Sequence, residues 1–210
     1  MTATNTENTT AGDVASQPTA PTAKRRSIFS KILMVFAAVI GVFLIVVAIQ
    51  PSDFRIVRST TVDAPPATVF AQVNDFHKWN EWSPWAKLDP TMKQTFEGPA
   101  TGKDASYAWI GNNEVGEGRM TIMDSLPNSL IVIKLEFLKP FQATNTTVFN
   151  FKLEGKQTIV TWTMAGQHNF VGKAMCLLMN MDKMVGGQFE EGLARMKAIA
   201  ETEARKPGVS

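Results

Sequence analysis

Histidine and cysteine, the side chains most often used for acid–base, nucleophilic and metal chemistry near neutral pH, are few in this sequence. Its two histidines, His77 and His168, fall in no H-x-x-x-H or E-x-x-H spacing, and the single cysteine, Cys176, cannot complete a zinc site with them. A lone cysteine also excludes an intrachain disulfide, and a thiol in an apolar stretch is ordinarily a packing residue. Ser83 and Ser106 lack the context of a nucleophile elbow. Gly116, Gly118, Gly186 and Gly187 do not follow the spacing of a phosphate-binding loop. No catalytic residue, metal ligand or cofactor is assigned from these patterns. With 21 basic against 19 acidic residues, no net field draws the chain to nucleic acid.

The elements that must position these side chains are read from periodicity. Between Phe170 and Ala204, apolar residues recur every three or four positions (Met181, Val185, Phe189, Leu193, Met196, Ala200), which predicts one long amphipathic helix. Its first part, Ala174 to Met179, is apolar almost all round and is expected to be the more completely buried. Gly186, Gly187 and Gly192 interrupt the pattern. Each costs about 1 kcal/mol against Ala, so close packing, a kink or room for something bulky opposite must offset them.

Upstream, Arg55 to Val62 alternates as a strand, and Asp63 to Pro66 opens a short helix over Ala67 to Asn74. Asp75 to Trp85 is an aromatic loop. Its tryptophans are expected to pack a corner, cap a cavity mouth or touch a membrane interface. Six more strands are expected at Met92 to Glu97, Ala105 to Ile110, Gly116 to Asp124, Ser129 to Phe137, Ala143 to Glu154 and Gln157 to Gly166, divided by turn formers. Ile131, Ile133, Leu135 and Phe137 oppose Lys134 and Glu136, and Val160, Trp162 and Met164 oppose Thr161 and Thr163. This is an antiparallel sheet solvated on one side. The fold expected is α+β: a curved antiparallel sheet wrapped around a long C-terminal helix.

The amino-terminal part is of a different kind. Residues 1–27, rich in Thr, Ala, Asn and Pro, are expected to be a disordered cytoplasmic tail, and residues 205–210 a second disordered tail. Ile32 to Ile49 is an unbroken apolar run of 18 residues, inside an expected transmembrane helix over 28–50. At about 1.5 Å per residue it spans roughly the hydrocarbon of a bilayer, and it exceeds the 7–15 apolar residues or so of a cleavable signal. Lys24, Arg25, Arg26 and Lys31 precede it, against Arg55 and Arg58 after it. That excess keeps the amino terminus cytoplasmic and places the domain over 54–204 outside the cytoplasm, periplasmic or extracellular, on a single-pass anchor in the cell membrane.

With these elements in place, the domain resembles the polyketide cyclase/dehydrase-like branch of the START/Bet v 1 (SRPBCC) superfamily. The resemblance is carried by Val62 to Pro66 with Val69 and Phe70, by Phe76 to Trp79 with Trp82 to Trp85, and by Met181 to Gly186, Phe189 to Leu193 and Lys197. It implies a helix-grip fold with a cavity between sheet and long helix, often occupied by a hydrophobic molecule. The candidate lining is Trp82, Trp85, Tyr107, Trp109, Met120 and Ile122, together with Phe149, Trp162, Met164, Met175, Met179 and Phe189. Taken singly, each of these is more readily a core residue. Tyr107, His168, Glu97 and Arg119 are candidates for the few polar groups that would orient a ligand, although polar residues are most often simply exposed.

Three readings of function follow, in order of expectation. The first is membrane-anchored binding, transfer or sensing of a lipid or other apolar small molecule. The second is a protein-interaction module with a filled core. The third is a cyclase- or dehydratase-type enzyme, for which no acid/base pair stands out. The expected partners are the apolar molecule and the membrane bilayer, with no nucleic acid.

Overall fold

A computed structural model of the chain describes residues 23–206. The two tails expected to be disordered lie outside the described residues, apart from Ala23 to Ser27, which are helical, and Arg205 and Lys206. The chain forms two compact units, dividing between Ile45 and Val46. The first is built on helix α1 (Ala23–Ile49). Its stretch Ile28–Ile49 is long and apolar enough to cross a membrane. Large side chains there, such as Leu33, Phe36, Val39 and Ile45, are exposed, which sets α1 apart from the buried core helix of a soluble domain.

The second unit is a seven-stranded, wholly antiparallel sheet in the order β1-β7-β6-β5-β4-β3-β2. Its strands are β1 (Asp53–Val62), β2 (Lys93–Glu97), β3 (Ser106–Ile110), β4 (Glu117–Leu126), β5 (Leu130–Lys139), β6 (Ala143–Glu154) and β7 (Gln157–Gln167). Each expected strand is present, with ends shifted by no more than two residues. The register of β4 against β5 slips at Glu117/Gly118 and at Ile122/Asp124, irregularities of the kind that bend and twist a sheet. At the first slip the Trp109 ring lies against Gly118, where a Cβ would collide with it.

From β1 the chain crosses the inner face through α2 (Pro66–Asn74), a 3-10 turn (Phe76–Lys78), α3 (Trp79–Trp82) and α4 (Trp85–Leu88) before re-entering at β2. Trp79 and Trp82 are buried, and their indole N–H groups donate to the carbonyls of Val73 and Gln72, each at 3.0 Å. The aromatic loop is thus a packed corner at these two residues.

The single carboxy-terminal helix expected over Phe170 to Ala204 is two helices, α5 (Phe170–Leu178) and α6 (Met181–Ala204). Met179 is extended, and the Asn180 side chain accepts from the Lys183 N–H at 2.9 Å, so Asn180 caps a new helix and ends the old one. The expectation that the first part would be the more buried is also overturned. No residue of α5 is fully buried, and Phe170, Val171 and Leu178 are exposed. Apolarity all round the helix was the basis for expecting burial, but among the described residues no second layer of protein covers α5.

Helix α6 lies in the grip of the sheet. Its carboxy-terminal half closes a solid core: Leu193, Met196 and Ala200 pack with Val69 and Val73 of α2 and with Ile122, Ile131, Ile133 and Phe149 of the sheet. Along its amino-terminal half, Asp182, Gly186 and Glu190 are four residues apart and share a face. Arg58 of β1 lies on that face, bonded to Asp182 at 3.0 Å and to Glu190 at 2.6 Å. The bond to Arg58 holds the Asp182 carboxyl below its ordinary range. Gly186 leaves the guanidinium room, since a Cβ there would strike it.

Candidate functional site

The interior is filled at one end of the sheet and hollow at the other. The hollow end is set by register. One row across the inner face runs Phe54, Gly166, Asn145, Leu135, Met120 and Tyr107, and the next runs Ile56, Met164, Thr147 and Ile133. Apart from Gly166 and Ile133, these residues line a cavity of about 760 Å³. Trp85 closes it from the crossover, Val185 and Phe189 from α6, and Cys176, Leu177 and Leu178 from α5 and its end. The size and apolar lining are those of a small-molecule site.

Of the twelve residues expected to line such a space, eight do: Trp85, Tyr107, Trp109, Met120, Trp162, Met164, Met179 and Phe189. The other four lie elsewhere. Trp82, Ile122 and Phe149 are wholly buried in the solid core, and Met175 is exposed on α5. The periodicity that placed them on the inward face was sound for the three core residues. It does not say where along the sheet packing stops. Met175 is misplaced because α5 is a separate, partly uncovered helix.

Aromatic packing fixes the floor. Trp162 is sandwiched between Phe189, at 3.9 Å between ring centroids and 4° between planes, and Phe149 at 4.8 Å, with Trp85 edge-on at 6.0 Å. Gly192 of α6 makes this possible, because a Cβ there would lie 3.1 Å from the Trp162 ring and 3.2 Å from Pro84.

The polar groups of the wall are mostly uncharged. Burial pushes the Tyr107 phenol up to about 12, so it is a neutral donor whose hydroxyl meets the Met92 sulfur at 3.9 Å. His168 stacks on Phe54 at 4.3 Å and its Nε2 meets Cys176 Sγ at 3.2 Å. Burial lowers the imidazole and raises the thiol, so the two stand as neutral partners, the reverse of an activated thiolate. Glu97 and Arg119 do not line the cavity. They pair with each other at 3.3 Å on exposed positions. Among the described residues, no group of three His, Cys, Asp or Glu side chains is placed to hold a metal ion.

Asn145 and Thr147 line the cavity and were not singled out from the sequence. Their signal was there: both share the inward register of β6 with Phe149 and Phe151, as polar residues at positions where the pattern asks for apolar ones. Leu135 and Phe137 likewise extend the inward series of Ile131 and Ile133 past the point where the core ends.

A bent antiparallel sheet gripping a carboxy-terminal helix, hollow at one end, defines the helix-grip class of the START/Bet v 1-like (SRPBCC) superfamily. Within it, residues 53–201 match the family described as polyketide cyclase / dehydrase and lipid transport, and the chain belongs to that family. Solved structures share the fold at low identity. A protein of unknown function from Staphylococcus aureus is 11% identical with a TM-score of 0.55, over 75% of this chain and 99% of its own. The di-domain ARO/CYC StfQ of the steffimycin biosynthetic pathway is 13% identical with a TM-score of 0.53, over 73% of this chain and 52% of its own. Ara h 8.0201 is 12% identical with a TM-score of 0.51, over 71% of this chain and 99% of its own. No curated protein matches the chain.

Proposed function

We propose that this protein is a membrane-anchored binder of one hydrophobic small molecule or lipid, held between the sheet and the first half of α6 for transfer or sensing. The observation that carries this is the cavity of about 760 Å³, walled by apolar and aromatic side chains with only a few polar ones. An interaction module would have side chains in that space. For an enzyme of cyclase or dehydratase type, the groups in reach are engaged with sulfur rather than with each other: the His168 imidazole meets Cys176 at 3.2 Å and the Tyr107 hydroxyl meets Met92 at 3.9 Å.

The apolar stretch of α1 supports the membrane part, since Ile28–Ile49 is long and apolar enough to cross a bilayer. In the folded unit, α5 borders the cavity and leaves Phe170, Val171 and Leu178 exposed. The test is native mass spectrometry of the full chain purified in detergent, followed by solvent extraction. A retained apolar molecule at one per chain is the expected result. A protein that emerges empty and takes up no offered lipid overturns the proposal.

A further inference from the structure

Large apolar side chains of the folded unit are exposed mostly at its hollow end. Helix α5 turns an apolar stripe outward: Val171, Met175 and Leu178 follow the i, i+4, i+7 spacing of one helix face, and all three are exposed. On another side of the helix, Cys176 meets His168 and borders the cavity. Phe141, in the turn between β5 and β6, is exposed too, and the flanking Phe137 and Ala143 line the cavity. Register puts both segments at one end of the sheet. Asn145 pairs with Gly166, so two residues further on Ala143 and His168 stand level, and α5 begins two residues after His168. Ile110 and Leu138, at the ends of β3 and β5, add exposed side chains here. The opposite end of the sheet bears Leu126 and Leu153.

Charge narrows the kind of partner. Between Glu136 and Asp182 the only acidic residue is Glu154, which sits in the β6–β7 hairpin at the far end. The charged residues of α5 and of the β5–β6 turn are therefore lysines, Lys173 and Lys139, the second paired with Glu117. An outward apolar stripe with lysine beside it suits the boundary between acyl chains and phosphate headgroups, where such a helix buries its face by about 5–10 Å. A second copy of the chain suits it poorly. Nine residues make a helix about 14 Å long, too short a face for the roughly 800 Å² that each partner gives to a stable dimer. A bilayer asks for no matching surface, and the chain carries in Ile28–Ile49 a stretch apolar enough to cross one. We propose that the hollow end is a bilayer-docking surface, with Val171, Met175, Leu178 and Phe141 set into the headgroup boundary beside the cavity. This rests on the membrane-anchored reading given above.

The test places nitroxide labels on the full chain in nanodiscs of phosphatidylcholine and phosphatidylglycerol. Cys176→Ser removes the native thiol while keeping a hydroxyl for His168, and Val171→Cys, Phe141→Cys or Leu153→Cys is added singly. None of the three positions lines the cavity, and Val171 and Leu153 are comparably exposed, at 46% and 58%. Electron paramagnetic resonance reads collisions of each label with oxygen, which concentrates in lipid, and with a water-soluble nickel chelate. The oxygen-to-nickel ratio is expected to be at least about fivefold higher at positions 141 and 171 than at 153. Ratios as low as that at 153 would overturn the docking. Few collisions with either reagent would overturn it in favour of a protein partner or a second copy. Native mass spectrometry of the same samples keeps the two readings apart. An apolar molecule retained by a chain whose labels all lie in water leaves the ligand reading standing and sinks the docking alone. An empty chain whose labels at 141 and 171 lie in lipid does the reverse. Should one of these two labelled variants fail to fold, the other decides.

Discussion

Gly187 and Gly192 stand five residues apart in α6 and make opposite demands. A Cβ at Gly187 meets nothing within 4 Å, so this glycine carries only the helix-propensity cost. A Cβ at Gly192 would press on the Trp162 ring and on Pro84, and neither can give way: the indole is clamped between two rings and the pyrrolidine is rigid. Gly187→Ala is therefore expected to stabilise the domain by about 1 kcal/mol. Gly192→Ala is expected to destabilise it by about 1–3 kcal/mol, overpacking outweighing the gain in propensity. Denaturant unfolding of the two variants checks this, and equal shifts of the same sign would refute it. Gly186 belongs to a third kind, where the obstacle is the flexible end of Arg58. The sequence marks all three glycines as costly in a helix. The partners that Gly186 and Gly192 make room for come from β1, β7 and the crossover, and so no local pattern names them.

At the scale of the element, α5 is held far more loosely than α6. It has no fully buried residue, and its specific tie to the sheet end is His168, stacked on Phe54 and bonded to Cys176. Few buried contacts mean low local stability, so α5 amides are expected to exchange with solvent well before those of the Phe189–Ala200 stretch. Acid should widen the gap. The folded imidazole titrates below its ordinary 6.5 because burial disfavours its charged form. Its contribution to stability is therefore fully present above pH 6.5 and lost as pH falls through the folded value. Hydrogen exchange by mass spectrometry at pH 7.5 and 5, corrected for intrinsic rates, should show this loss in α5. His168→Phe, which keeps a ring on Phe54, should remove the acid-dependent part. Identical protection of α5 at both pH values would sink the argument. The same element shows where local reading ends. The seven strands were legible because each alternates apolar with polar side chains and ends in a turn former, which are properties of neighbouring residues. The break before Met181 was carried by one capping residue, Asn180, inside an otherwise continuous helical pattern. The uncovered state of α5 depends on what other elements do not reach. The hollow end of the sheet was equally hidden, since Leu135 or Phe137 over a cavity reads the same as Ile131 or Ile133 in a core.

For the whole molecule, the question is what α1 does with a stretch of 22 residues apolar enough to cross a bilayer. A cleaved signal and an anchor differ in outcome: the first leaves a soluble domain, the second keeps the domain at the lipid surface from which an apolar ligand would be drawn. Length favours the anchor, because a signal's apolar core is usually about 7–15 residues. For an anchor, the charge bias predicts an amino terminus left in the cytoplasm, with four basic residues from Lys24 to Lys31 before the run and Arg55 and Arg58 after it. The full chain expressed in a bacterial host is expected to stay with membranes through an alkaline carbonate wash and to retain residues 1–52 by intact mass. Protease added to spheroplasts is expected to digest the folded domain, and Lys24→Glu, Arg25→Glu and Arg26→Glu together should reverse that accessibility in a measurable fraction of molecules. Release of a shortened domain into the soluble fraction would show a signal sequence instead, and protection of the domain in intact spheroplasts would show the opposite orientation.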